Sequence, residues 1–175
     1  VLFAYGSALG LTVSNPQTDA NGVTWYDAAS PYNGPGTTTL RILAPTNPAV
    51  GMPHRFIYVL PTIAGVNLQD EFGDGLDELR RQNIQNIYNA HIIAPSFQAE
   101  PWYADHVSNP DRRYESFMVQ DLVPWVQGNL FVTGQEEHLL LGFSKSGFGA
   151  VTLLFRNPTV FDAAAAWDFP ADQAD

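Results

Sequence analysis

The stretch "LLLGFSKSGFGAV" (139–151) restricts the fold of this chain more than any other. An apolar run stops at Gly142, small residues follow, and apolar residues then return at helical spacing. That pattern describes a strand turning sharply into a helix. Three readings compete: a phosphate loop, a turn that presents a nucleophilic serine, or an ordinary connection. A phosphate loop needs G-x-x-x-x-G-K-[ST], and aligning Lys145-Ser146 with its end puts Ser144 and Leu139 where both glycines belong. That reading fails on spacing. A serine-presenting elbow needs small residues two before and two after the nucleophile, because strand and helix nearly collide there. With Ser144 as nucleophile these are Gly142 and Ser146; with Ser146 they are Ser144 and the bulky Phe148. Ser144 is therefore the candidate, with Ser146 standing where the motif usually has glycine.

The surrounding chain supplies a sheet for such a turn. "VTWYDAA", "TTTLRILAP" and "HRFIYVLP" read as strands separated by Pro/Gly/Asn clusters, and "RFIYVLP" reads as buried on both faces. A helix is expected to start at Asp74, with Leu76 and Leu79 on one side and Asp77 and Glu78 in its first turn. "AHIIAPSF" is a further buried strand, followed by a helix over 111–127 that Pro124 bends. "EHLLLGF", a helix with Phe148, Val151 and Phe155 in register, and the strand "FDAAAAWDF" complete the pattern. Alternating strands and helices predict an α/β fold: a mostly parallel sheet with helices on both faces, extended by antiparallel N-terminal strands.

Charge and composition remove several function classes. Eight basic residues stand against eighteen acidic ones, a net charge of −10, which argues against nucleic acid as a partner. Arg80-Arg81 and Arg112-Arg113 are the basic pairs, and both fall in helix-like sequence. Cysteine is absent, which excludes thiolate catalysis, disulfides and Cys-ligated zinc. No apolar run approaches the ~20 residues of a membrane span. The start "VLFAYGSALGLTV" lacks a basic leading region, so no intact signal peptide is visible; the compartment stays open, secretion included. The acid-rich stretch 70–78 lacks the alternating oxygen ligands of a calcium loop and reads as a helix start, so no metal site is assigned.

"LLLGFSKSGFGAV" followed by "LLFRNPTVFDAAAAWD" resembles the elbow and next helix of the esterase D and feruloyl-esterase-like branch of the α/β-hydrolases. "FIYVLPTIAG", "FGDGLDELRR" and "HIIAPSFQAEPWYADH" are similar to that branch's oxyanion-loop strand, first helix and following strand. The resemblance implies serine acyl transfer without a cofactor, on a small-molecule or carbohydrate-linked ester. It implies that Ser144 is activated by a histidine that a carboxylate orients. It also implies two backbone oxyanion donors, one from Lys145 and one from Thr62 or Ile63 in the loop after the third strand. Asp168, ending the strand "FDAAAAWD", is the candidate acid, the alternative being a carboxylate further along the protein.

Such hydrolases order their triad serine, acid, histidine, yet no histidine follows Ser144. His54 and His91 open strands, at the wrong edge of the sheet, and His138 opens the elbow strand itself. His106 lies in the loop leaving "HIIAPSF", at the edge where ligands bind; with Trp102 and Tyr103 it is a candidate for the pocket wall, and it is the alternative candidate for the base. The expectation is therefore a single α/β-hydrolase domain over 1–175, an N-terminal portion whose last strands and base lie further on. The competing expectation is a catalytically silent binding module of the same fold. Oligomeric state is left open by the sequence.

Overall fold

The computed structural model describes residues 10–49, 51–64, 73–130 and 136–169. The apolar start, most of the loop after "HRFIYVLP" and the acidic residues 70 and 71 lie outside the described residues.

The strands are β1 (Thr12–Thr18), β2 (Val23–Ala29), β3 (Thr38–Leu43), β4 (His54–Val59), β5 (Ala90–Pro95), β6 (Glu136–Phe143) and β7 (Ala163–Trp167). They form one sheet in the order β1-β2-β3-β5-β4-β6-β7. The pairs β1/β2, β2/β3 and β3/β5 are antiparallel, and β5/β4, β4/β6 and β6/β7 are parallel. Strand β1 lies ahead of the stretches read as strands from the sequence, and it carries Pro16, which cannot donate to a ladder. The structure accommodates it on the sheet edge, where the register shifts between Ser14 and Gln17 and Asn15 takes φ 53°.

Among the described strands only β5 is buried along its whole length. Strand β4, expected to be buried on both faces, instead alternates: His54, Phe56 and Tyr58 are buried while Arg55, Ile57 and Val59 are half-buried. The reason is the unequal cover of the two faces. On one face the helical stretch 114–129 and helix α5 (Lys145–Arg156) bury Phe56, Tyr58, Ile93 and Leu140 with Phe117, Met118, Leu122, Val126 and Leu153. On the other, the short helices α1 (Gly75–Arg81) and α2 (Ile84–Ile87) cover Leu43, Ile92 and Ala94 but reach no further across β6 and β7. Strand β7 keeps Ala163, Ala165 and Trp167 exposed.

Helix α1 starts where expected: Asp74 caps it, accepting from Leu76 N–H at 3.1 Å. The long helix begins later than expected. Arg112 and Arg113 lie outside it, and Arg113 is its N-cap, bridging to Asp105 at 3.2 Å. It runs as α3 (Tyr114–Ser116), a π-helical segment Phe117–Leu122 and α4 (Val123–Asn129). Pro124 carries no N–H, and the ladder ahead of it widens: Val123 N–H bonds the Met118 carbonyl, five residues back. Helix α5 also differs from its periodic reading. Phe155 is 77% exposed, and the buried stripe is Ser146, Gly147, Gly149, Ala150 and Leu153. Small residues face the sheet because α5 leaves β6 through too tight a turn to leave room for larger ones.

Candidate active site

Ser144 sits between β6 and α5 with φ 53° and ψ −127°. A non-glycine residue adopts such angles only when its surroundings hold it there. Its N–H donates to the Trp167 carbonyl on β7 at 3.1 Å, and its own carbonyl accepts from Gly147 N–H at 2.9 Å, closing the first helical turn. The side chain makes no capping hydrogen bond. Its hydroxyl is thus spared the usual task of a serine at a helix start.

The neighbours explain the strain. A Cβ on Gly142 would come within 2.7 Å of Gly147 N and closer still to the Ser146 carbonyl, so only glycine fits. Ser146, in the position where the motif has glycine, is fully buried, and its hydroxyl is used. It donates to the Phe143 carbonyl at 2.9 Å and accepts from Phe143 N–H at 3.0 Å. This pair of bonds ties the strand end to the helix start across the serine.

Beside the elbow, at the C-terminal edge of the parallel strands, lies a cavity of about 250 Å³. Thr62, Ile63, Gly142, Phe143, Ser146 and Trp167 line it near the elbow, and Arg41 and Asp74 line it further away. Arg41 and Asp74 are paired through both guanidinium nitrogens, at 2.5 and 3.2 Å, and Arg41 lies over the Trp25 ring. Thr62 and Ile63 therefore reach the cavity beside the elbow. Ser144 is half-buried and does not itself line the cavity, although Gly142, Phe143 and Ser146 on either side of it do. Lys145 opens α5, where first-turn N–H groups have no helical partner.

The remaining candidates are distributed differently. Asp168 is exposed, with φ 51°, directly after the Trp167 whose carbonyl holds Ser144 N–H. Trp102 does not line the cavity; its ring lies 5.1 Å from Lys145 Nζ, which also pairs with Glu100 at 3.0 Å. His106 is exposed and turned into its own loop, where Nδ1 accepts from Ser108 and Asn109 N–H. Tyr103, read from sequence as a pocket wall, is fully buried instead. The other histidines lie at the opposite edge of the sheet. His54 Nε2 meets His91 Nδ1 at 2.6 Å, and His138 bonds the Tyr58 hydroxyl at 2.9 Å. Burial lowers all three, His91 to about 4, with His54 beside it adding to the effect. Among the described residues no group of three or more His, Asp or Glu could hold a metal, and no helix is long and apolar enough to cross a membrane.

Sheet order, the antiparallel start and a strained serine between a central parallel strand and its helix define the α/β-hydrolase fold. Residues 87–168 match the esterase family model described as "Putative esterase". No curated protein sequence matches the chain. Among solved structures it is similar to an S-formylglutathione hydrolase from Agrobacterium tumefaciens, at 15% identity and TM-score 0.66, covering 89% of this chain and 61% of that one. It is also similar to the BES protein from Bacillus cereus, at 18% identity and TM-score 0.59, covering 93% and 66%. A ferulic acid esterase aligns at 16% identity and TM-score 0.53, covering 93% and 64%. The chain thus spans about three-fifths of the first relative's length, and at these identities the likeness is one of fold. The family match over 87–168 bears out the resemblance to esterases, and the neighbours bear out the fold.

Proposed function

We propose that this chain carries the nucleophile and oxyanion hole of a serine ester hydrolase. The observation that supports it most directly is the strained Ser144, which makes no capping bond beside a cavity that Thr62 and Ile63 line. In this reading Ser144 Oγ attacks the ester carbonyl carbon while its proton passes to a base. The carbonyl oxygen takes up the negative charge and is held by N–H groups of Lys145 and of Thr62 or Ile63. Collapse breaks the bond to the alcohol, which leaves with the proton, and water then releases the acyl group by the same steps in reverse. Asp168 orients the base.

His54, His91 and His138 are buried at the far edge, and His106 already accepts two backbone bonds in an exposed loop. The reading therefore assigns the base to a histidine beyond residue 175, in a domain of which 1–175 is the N-terminal portion. The substrate is a small-molecule or carbohydrate-linked ester. The cavity supports this: it runs from Ile63, Phe143 and Trp167 beside the elbow to the Arg41–Asp74 pair, which offers donors and acceptors suited to hydroxyl groups.

The test is p-nitrophenyl acetate turnover by residues 1–175 and by the full-length protein, each with Ser144→Ala and His106→Ala. The expected result is activity in the full-length protein alone, lost in Ser144→Ala and kept in His106→Ala. Turnover that survives Ser144→Ala refutes the nucleophile. Strong turnover by 1–175 that disappears in His106→Ala makes His106 the base instead.

A further inference from the structure

We propose that the segment 100–103 is a strut that sets the geometry between the two halves of the oxyanion hole, with Tyr103 as its positioning residue. The proposal rests on the acyl-transfer reading above and deepens it.

Tyr103 combines features that a tyrosine filling a core does not need. Its φ is 56°, a left-handed conformation that is costly for an aromatic residue. It is fully buried in the loop after β5, with its ring edge-on to Phe97 at 5.5 Å. On one side the ring lies against Gly149 of α5. A Cβ there would come within 2.8 Å of Tyr103 Cε2 and closer to the rest of that ring edge, so glycine is what admits it. At its tip the hydroxyl donates to the Pro61 carbonyl. Burial pushes this phenol well above its ordinary range, so it stays a donor.

The Pro61 carbonyl is the informative partner. It shares one rigid peptide plane with the N–H of Thr62, and the two point in opposite directions. Fixing the carbonyl on Tyr103 therefore fixes the direction of Thr62 N–H, one of the two candidate donors in that loop. The same short segment also grips the other half of the hole. Glu100 pairs with Lys145 Nζ at 3.0 Å, and the Trp102 ring lies 5.1 Å from the same ammonium. Lys145 opens α5 and supplies the second donor, and Gly149 lies about one turn further along the same helix. One four-residue segment thus connects the loop after β4 to the start of α5. The strain at Tyr103 is the consequence of reaching both.

The experiment uses the full-length protein with Tyr103→Phe, which keeps the ring on Gly149 and removes only the bond to Pro61. Hydrogen exchange over residues 60–64 should quicken about tenfold while β6 and α5 keep their protection. In ester hydrolysis kcat should fall about ten- to hundredfold with KM little changed, since a misaimed donor acts on the transition state. The inhibition constant of a trifluoromethyl ketone, which forms a tetrahedral oxyanion on serine, should rise by the same factor. Gly149→Ala, which displaces the ring, should give the same split. Unchanged exchange at 60–64, or kcat and inhibition constant within twofold of the parent, overturns the strut. Turnover that survives Ser144→Ala overturns the acyl-transfer reading instead, and the exchange result still decides whether Tyr103 orders the loop.

Discussion

Replacing Gly142 by alanine puts a methyl group into the tightest point of the elbow. Its Cβ would come within 2.7 Å of Gly147 N and closer to the Ser146 carbonyl, against a comfortable separation of about 3.5–4.0 Å. The obstacles are backbone atoms, so no side chain can swing aside. Strand β6 is held by β4 on one side and β7 on the other, with Gly142 itself opposite Ala166. Ser146 is held to Phe143 by both hydroxyl bonds. Relief requires moving the start of α5 off the sheet. Overpacking that side chains can absorb costs about 1–3 kcal/mol. A clash between backbone segments should reach or exceed the top of that range, about 3–4 kcal/mol. Leaving glycine in a strand returns only about 0.5–1 kcal/mol. The net cost is about 2–3.5 kcal/mol; for a domain of this size 1 kcal/mol moves Tm by about 2–4 °C, so Gly142→Ala should melt about 4–14 °C below the parent. Gly128→Ala is the control: it lies in α4 with nothing within 4 Å of the added Cβ, and should gain up to about 1 kcal/mol. Scanning calorimetry on the three proteins decides it. A Gly142→Ala melting point within about 2 °C of the parent would refute the steric account of the elbow.

Ser146→Gly restores the usual elbow motif yet should destabilise the fold by about 1–2 kcal/mol, because it removes two buried hydroxyl bonds to Phe143. A urea midpoint equal to or above the parent's would show that those bonds contribute nothing. The buried His54–His91 pair makes stability depend on pH. Burial, with His54 alongside, lowers His91 in the fold to about 4, against 6.5 when unfolded. The unfolded chain therefore binds the extra proton, and the contribution is complete above pH 6.5 and lost as pH falls towards 4, by up to about 1.4 kcal/mol per unit. Urea unfolding at pH 7 and pH 5 should show the loss, and His91→Gln should flatten it. Stability that rises between pH 7 and pH 5 in the parent, and not in the variant, would reverse the argument.

Much of the elbow was legible in the chain because its requirements are local. Gly142 and Ser146 flank Ser144 at spacings that a strand-to-helix turn imposes on any sequence. Asp74 could be read as the start of α1 for the same reason, since a cap serves N–H groups two residues away. Where the outcome depended on what covers a surface, reading the chain failed. Strand β4 and strand β5 are both apolar runs, yet only β5 is covered on both faces, because α1 and α2 lie over it and stop short of β6. Phe155 keeps the helical period and still faces outward, because the face that meets the sheet is chosen by the angle at which α5 leaves the elbow.

By itself, then, the sequence determined the alternation of strands and helices, the serine at the sharp turn and the glycine it requires, all of which follow from interactions between residues close along the chain. The tertiary structure alone decided which distant groups meet. It brought Thr62 and Ile63 to the cavity beside the elbow and aimed the Tyr103 hydroxyl at the Pro61 carbonyl. It turned His106 into its own loop, and it left Trp102 on Lys145 rather than in the cavity. Those outcomes depend on strand order. Strand β5 lies between β3 and β4 in the sheet, although β4 directly follows β3 in the chain, and the parallel run of β5, β4 and β6 brings the loops after all three to one edge. Neither composition nor periodicity carries strand order, because it is set by contacts between residues far apart in the chain.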